Sequence, residues 1–333
     1  MTVLVALTDP IDPSGDAILR RAGHEVALPG EGGLDALLAR AEAVVVRRKL
    51  PDDLSARAPR LLAAVRQGVG VDMIPVEDCT AHGVLVANVP GANADSVAEF
   101  AIAQMLAVAR RAETMHAELI AKDWNTARAR SAQAFELRGR VLGIIGMGAI
   151  GTRLAEIARD GFRMRVLAHR RGDAPMPEGV ERAEPDRLFA ESDFVVLACP
   201  LTPETRGLAS AARIGRMKGT AWLLNLARGP VVEGAALLEA LRAGRIGGAA
   251  LDVYDEQPLA PDHPLRALPN VILTPHVAGL STEAVERMST GAAEEVVRIL
   301  AGGRPRSFIN PEAWEASRRR RAVLGYSVEE AAA

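Results

Sequence analysis

Gly146-Met-Gly148-Ala-Ile-Gly151 follows the apolar run Val141–Ile145 and opens a stretch of helical character. Glycines at that spacing do three separate jobs. The first permits a tight turn, the second lets a pyrophosphate come close to the backbone, and the third lets helix and strand pack together. The amides of Ala149 and Ile150 then point at phosphate oxygens from a helix start whose dipole favours negative charge. A further apolar run ends near residue 169, which completes the strand–turn–helix–strand context that dinucleotide binding needs. At that position an acidic residue would accept hydrogen bonds from the adenosine ribose. The sequence offers His169-Arg170-Arg171 instead, with Asp173 only later, and Arg170 stands 19 residues beyond Gly151. A guanidinium cannot accept a hydrogen bond from a hydroxyl, but its paired donors can hold a 2′-phosphate. These residues therefore favour NADP(H), with NAD(H) possible and a solvated basic loop as the plain alternative.

The elements that would carry this turn are short. Over the first 90 residues, apolar runs alternate with helix-length segments: strand Val3–Leu7, helix Asp16–Ala22, apolar Glu25–Leu28, helix 34–42, strand Val44–Val46, helix 52–58, strand Leu61–Val65, helix 75–82 and strand Val84–Val86. Runs such as VVV lack polar alternation and suit strands covered on both faces. The alternation restarts with strand Val141–Ile145, helix Ala149–Asp160, strands Arg165–Ala168, Phe194–Ala198 and Thr220–Asn225, helix 233–242 and strand Gly247–Asp252. Two long helices, the apolar Ser96–Arg111 and the amphipathic Ser281–Leu300, connect the two series. The expected fold class is α/β, with two doubly wound parallel-sheet domains. Residues 93–280, a Rossmann domain binding NAD(P), are inserted into a flavodoxin-like substrate (catalytic) domain formed by 1–92 and 281–333. After Pro311 the chain turns polar, and the Arg318–Arg321 run reads as a solvated helix face.

Composition narrows the classes of function. The 333 residues suggest about two domains at roughly 150 residues each. With 40 basic and 42 acidic residues the net charge is −2, too weak a positive field for a general nucleic-acid binder. Three Trp, two Tyr and six Phe leave too few rings for a base-stacking surface. Cys79 and Cys199 form neither a metal-ligand pattern nor a disulfide framework, so no metal is expected and a reducing cytosol is the default. No apolar run reaches the ~18–20 residues of a membrane span, and MTVLVALTDP reads as a buried strand rather than a signal peptide. A cytoplasmic protein without nucleic-acid or membrane partners is expected.

Across about residues 40 to 312 the chain resembles the D-isomer-specific 2-hydroxyacid dehydrogenases, the group containing phosphoglycerate dehydrogenase, hydroxypyruvate and glyoxylate reductases, and formate dehydrogenase. The resemblance rests on Gly68-Val-Gly-Val-Asp72, Asn93–Glu99 (NADSVAE), Gly146–Gly151, Cys199–Thr205 (CPLTPET), Asn225–Gly229 (NLARG), Asp252-Val-Tyr254 and Thr274-Pro-His276, in that order. It implies that Arg228 holds the substrate carboxylate and the reacting oxygen, a task suited to a planar fork whose charge is independent of pH. His276 matches the family's acid–base histidine. One position departs: where the family has Glu before the Pro that follows its DVF/DVY segment, this chain has Gln257, next to Glu256. Glutamine there looks like formate dehydrogenase, although this chain lacks that enzyme's long N-terminal extension.

The resemblance further implies cofactor contacts from Cys199, Pro200, Thr205, Ala227, Asp252 and Gly279. It places the backbone amides of Gly68, Val69 and Gly70 around the substrate carboxylate and suggests a homodimer, to which the apolar Ser96–Arg111 helix could contribute unless intrachain packing accounts for it. Arg47-Arg48-Lys49 ends a strand on the substrate side. Arg48 is the candidate there for a second acidic group, and three solvated charges are the alternative. The expected activity is NAD(P)-dependent interconversion of a small 2-oxo acid, hydroxypyruvate- or glyoxylate-like, and its D-2-hydroxy acid. Formate oxidation and a non-catalytic NAD(P)H-sensing protein are the alternatives.

Overall fold

Strands that are apolar without alternation must be covered on both faces. The structure, a computed structural model that describes residues 2–326, provides that cover. Leu4–Leu7 (β1), Ala43–Val46 (β3) and Phe194–Leu197 (β9) are buried at every position. The chain divides into two units, Met1–Asn93 with Leu280–Ala333, and Ala94–Gly279.

In the first unit, Glu25–Ala27 (β2), Ala63–Arg66 (β4) and Leu85–Ala87 (β5) join β1 and β3 in a parallel sheet of order β2-β1-β3-β4-β5. That is the flavodoxin-like order. The helix Pro13–Arg21 starts on Asp12, whose carboxylate accepts from the Ser14 amide, and packs against the helix Thr282–Leu300.

The second unit holds Val141–Ile145 (β6), Arg165–His169 (β7), Val180–Arg182 (β8), Trp222–Asn225 (β10), Gly248–Leu251 (β11) and Val271–Leu273 (β12) beside β9. Its order, β12-β11-β10-β9-β6-β7-β8, is parallel throughout. Counted within the sheet this is the Rossmann order 3-2-1-4-5-6 with a seventh strand added. Both sheets reverse direction of growth once, between β1 and β3 and between β6 and β9. Ligands of such sheets bind outside the strand carboxyl ends at those points.

Several expectations need correction. The helix after the glycine turn ends at Glu156 and passes into a wide π turn, Ile157–Gly161, instead of running to Asp160. Strands β8 and β12 and the helices Ala112–Ala121 and Trp124–Ala129 are additions to the expected elements. The helix Ala94–Arg110 buries Ala98, Ala101, Ile102 and Met105 in its own unit's core, so intrachain packing accounts for its apolar character.

The arginine run of the tail is not a solvated face throughout. Arg321 is 7% exposed and donates to the carbonyls of Ile299 and Leu300 at 2.9 and 3.0 Å. Those carbonyls belong to the last turn of a helix, which leaves its final acceptors without intrahelical donors. Arg320 likewise donates to the Leu61 carbonyl at 2.7 Å, while Arg318 and Arg319 are exposed. No helix among the described residues is long and apolar enough to cross a membrane.

Candidate active site

At the β6 exit the chain itself dictates two of the three glycines. Gly146 has φ +106°, and a Cβ there would stand 2.6 Å from the Ala198 carbonyl oxygen at the β9 exit. A Cβ on Gly151 would stand 2.0 Å from the Gly146 carbonyl oxygen. Gly148 is different: nothing of the protein lies within 4 Å of its would-be Cβ. It precedes the helix Ala149–Glu156, whose start carries no side-chain cap. Open space beside uncapped helix amides at the sheet's reversal point fits a pyrophosphate approaching the backbone, so the residues present suit a dinucleotide.

The other candidate cofactor residues surround the same edge. Cys199 is buried, and burial pushes its thiol above the usual range. The Thr205 hydroxyl donates to the Pro200 carbonyl at 2.7 Å and accepts from the Thr202 amide, which holds the turn after β9. His169 lies with Nδ1 3.3 Å from the Ala183 carbonyl, and Arg170 donates to the Pro175 carbonyl. Arg171 stands 3.6 Å from Glu204, with both side chains about two-thirds exposed, so the pair contributes little. Ala227 is buried, and Gly279 closes the second unit.

Arg228, Gln257 and His276 all leave the carboxyl ends of the neighbouring strands β10, β11 and β12. Asn225, 1% exposed, shapes the first turn: its amide accepts from the Ala227 N–H at 3.1 Å and donates to the Arg228 carbonyl at 3.0 Å. One Arg228 nitrogen donates to the Ala227 carbonyl at 2.7 Å. Gly229 lets this turn close on the next, since a Cβ there would stand 2.1 Å from the Tyr254 carbonyl carbon.

His276 is a non-glycine residue at φ +57°, a conformation that costs about 1–3 kcal/mol and persists only when its surroundings enforce it. Asp252 does the enforcing. Its carboxylate, 2% exposed, accepts from the amides of Val277 and Ala278 at 2.9 Å each and from the Thr274 hydroxyl at 2.7 Å. The Tyr254 hydroxyl lies 2.9 Å from the carbonyls of Leu251 and Thr274 and ties the same two loops. The sequence assigned Asp252 only a cofactor contact; its hold on the His276 turn depends on the pairing of β11 with β12, which the sequence did not reveal.

The His276 ring meets Gln257, with Nδ1 and Oε1 2.9 Å apart. The Gln257 amide nitrogen donates toward the Tyr254 carbonyl at 3.4 Å, so its oxygen faces the histidine. An oxygen acceptor fixes the hydrogen on Nδ1 and leaves Nε2 to exchange a proton. The Gln257–Pro258 bond is cis.

In the first unit, Gly68 has φ +136° and follows β4. The carbonyls of Gly68, Val69 and Gly70 take donors from the Val89 amide (2.9 Å), Asn88 (2.6 Å) and Arg66 (3.0 Å). In planar trans peptides the following amides then point the opposite way. At the reversal point of this sheet, the Arg48 Nε lies 2.9 Å from one Asp9 carboxylate oxygen, and this hydrogen bonding holds the Asp9 carboxyl below its ordinary range. Arg48 would serve a second acidic group only by exchanging Asp9 for it.

Comparison with known proteins identifies the family and the fold. Residues 102–278 match the family described as D-isomer specific 2-hydroxyacid dehydrogenase, NAD binding domain. The chain is 41% identical to the glyoxylate reductase of Aeropyrum pernix over 267 residues, 78% of this chain and 79% of that one. A solved structure from Thermus thermophilus superposes with a TM-score of 0.83 at 35% identity, covering 92% of this chain and 99% of the other. The NADPH-dependent glyoxylate/hydroxypyruvate reductase of Sinorhizobium meliloti, solved with NADP and malonate, gives 0.80 at 26% identity over 94% and 98%. The chain belongs to the D-isomer-specific 2-hydroxyacid dehydrogenases, a family of NAD(P)-dependent oxidoreductases.

Proposed function

We propose that the protein reduces a small 2-oxo acid of the glyoxylate or hydroxypyruvate kind to its D-2-hydroxy acid, with Ala94–Gly279 as the cofactor domain and the other unit as the substrate domain. The observation that supports this most is the 41% identity to a glyoxylate reductase, in a chain that sets Arg228 and His276 after strands of one parallel sheet. When bound, the nicotinamide supplies the hydride. Arg228 pairs the substrate carboxylate and polarises the carbonyl. The imidazolium form of His276 gives its Nε2 proton to the developing alkoxide, while Gln257 accepts from Nδ1–H and keeps the ring oriented. Formate oxidation is the second reading, favoured by glutamine at 257, and turnover on 2-oxo acids against formate separates the two.

NADP(H) is the preferred cofactor on this reading, because His169-Arg170-Arg171 stands where an acidic ribose acceptor would exclude a 2′-phosphate. Charge-assisted bonds to that phosphate are worth about 1.5–3 kcal/mol, so kcat/KM for NADPH should exceed that for NADH by about ten- to a hundredfold. Arg170→Asp should narrow or reverse the gap. Equal kcat/KM for the two cofactors in the unmodified enzyme contradicts the assignment.

The protein acts as a homodimer in the cytoplasm on this reading. Helix Ala112–Ala121 buries none of its residues within the chain, and Leu119, Ile120 and Trp124 are 45%, 73% and 64% exposed. Apolar side chains grouped this way mark an association surface. Sedimentation should give a dimer that Ile120→Glu dissociates; a monomeric unmodified protein at micromolar concentration contradicts it.

A further inference from the structure

Residues 170–179 connect β7 to β8 without a helix, and β8 returns beside β7 with Arg182 opposite Ala168. From there the Arg182 guanidinium reaches back under the connection. One of its terminal nitrogens donates to the Gly172 carbonyl at 3.0 Å and, more weakly, to that of Arg170 at 3.4 Å. The other donates to the Ala174 carbonyl at 2.5 Å. Carbonyls of three alternate residues thus converge on one planar, permanently charged group. Gly172 supplies the left-handed bend at φ +71°, with open space where a side chain would begin. Arg170 closes the arc through the Pro175 carbonyl at 3.3 Å.

We propose that Arg182 is a positioning residue for cofactor discrimination, holding the 170–174 arc so that Arg170 and Arg171 stand as a formed receptor for the adenosine 2′-phosphate. This rests on the NADP(H) reading above. The physical reason is the cost of ordering. A loop fixed only when its ligand arrives subtracts that ordering from the binding energy. NADPH engages the arc through its phosphate and bears this cost, whereas NADH has no phosphate to present there. Arg182 therefore acts on the ratio of the two cofactors without touching either.

The test uses the full chain and three proteins: unmodified, Arg182→Ala and Arg182→Lys. Lysine keeps the positive charge but offers one compact ammonium, which cannot span three carbonyls. Both variants should lower the NADPH-to-NADH ratio of kcat/KM by about tenfold, through KM for NADPH and not through kcat. Competitive inhibition by 2′,5′-ADP should weaken in parallel, while that by 5′-ADP changes little. An unchanged ratio in both variants overturns the proposal. So does a normal ratio in Arg182→Lys with a lowered one in Arg182→Ala, because the charge alone would then be responsible. If Arg182→Ala fails to fold, the lysine variant carries the test. No cofactor preference in the unmodified protein overturns the NADP(H) reading and this proposal together; a preference that survives both substitutions overturns this proposal alone.

Discussion

Arg228→Lys should lower kcat/KM for the 2-oxo acid by about a hundred- to a thousandfold, the range expected when a donor aimed at developing negative charge is lost. The substitution keeps the charge and discards the fork. A guanidinium can pair a carboxylate with two parallel N–H groups and still present a donor to the adjacent carbonyl oxygen, whereas an ammonium offers one point. The backbone of Arg228 is fixed by Asn225 on one side and by the close passage of Gly229 past Tyr254 on the other. A shorter-reaching lysine therefore has no loop movement available to recover the contact. The loss should appear in kcat as well as in kcat/KM, because the contact to the carbonyl oxygen strengthens as charge develops. A lysine variant retaining most of its activity means Arg228 is not the substrate anchor.

Gln257→Glu should move the pH profile of reduction. On the proposed mechanism reduction needs the imidazolium form of His276, so kcat/KM should fall as pH rises and that form is lost. A carboxylate 2.9 Å from Nδ1, where the amide oxygen now lies, stabilises the imidazolium and raises that titration. The descending limb should shift upward by about one pH unit, the size expected for an adjacent opposite charge. Oxidation needs the neutral ring and should respond in the opposite sense, losing rate near neutrality. His276→Ala should cost about 10²–10⁴ in kcat, the usual range for general acid–base catalysis, and should abolish the limb. A limb that stays in place in Gln257→Glu means the pair seen in the structure does not govern proton transfer.

Much of this molecule was legible in its sequence because the informative residues answer to local rules. The glycine turn is read from spacing, since Gly146 and Gly151 are demanded by the tight packing of the turn itself. Unbroken apolar runs mark the central strands, and their alternation with helices restricts the topology to parallel, right-handed crossovers. The unread parts depend on distant partners or weak patterns. Strand β8, Val-Glu-Arg, is short and exposed and has no hydrophobic signature, whereas β12 is apolar, Val-Ile-Leu, but only three residues long and only partly buried at the sheet edge. Helix Ala112–Ala121 packs no residue into the core, so it offers no core-facing stripe to read. Arg321 looks like any solvated arginine until the helix ending at Leu300 places two carbonyls of its last turn beside it. Asp252 holds the His276 turn only because β11 and β12 are neighbours.

The most direct measurement follows the absorbance of the reduced nicotinamide with glyoxylate, hydroxypyruvate and bulkier 2-oxo acids, and the reverse signal with formate. Consumption of NADPH should be fastest with the two small oxo acids, with formate giving no oxidation above background. Oxidation of formate at a rate exceeding reduction of every 2-oxo acid would contradict the account, and so would binding of NADPH with no turnover of any acid.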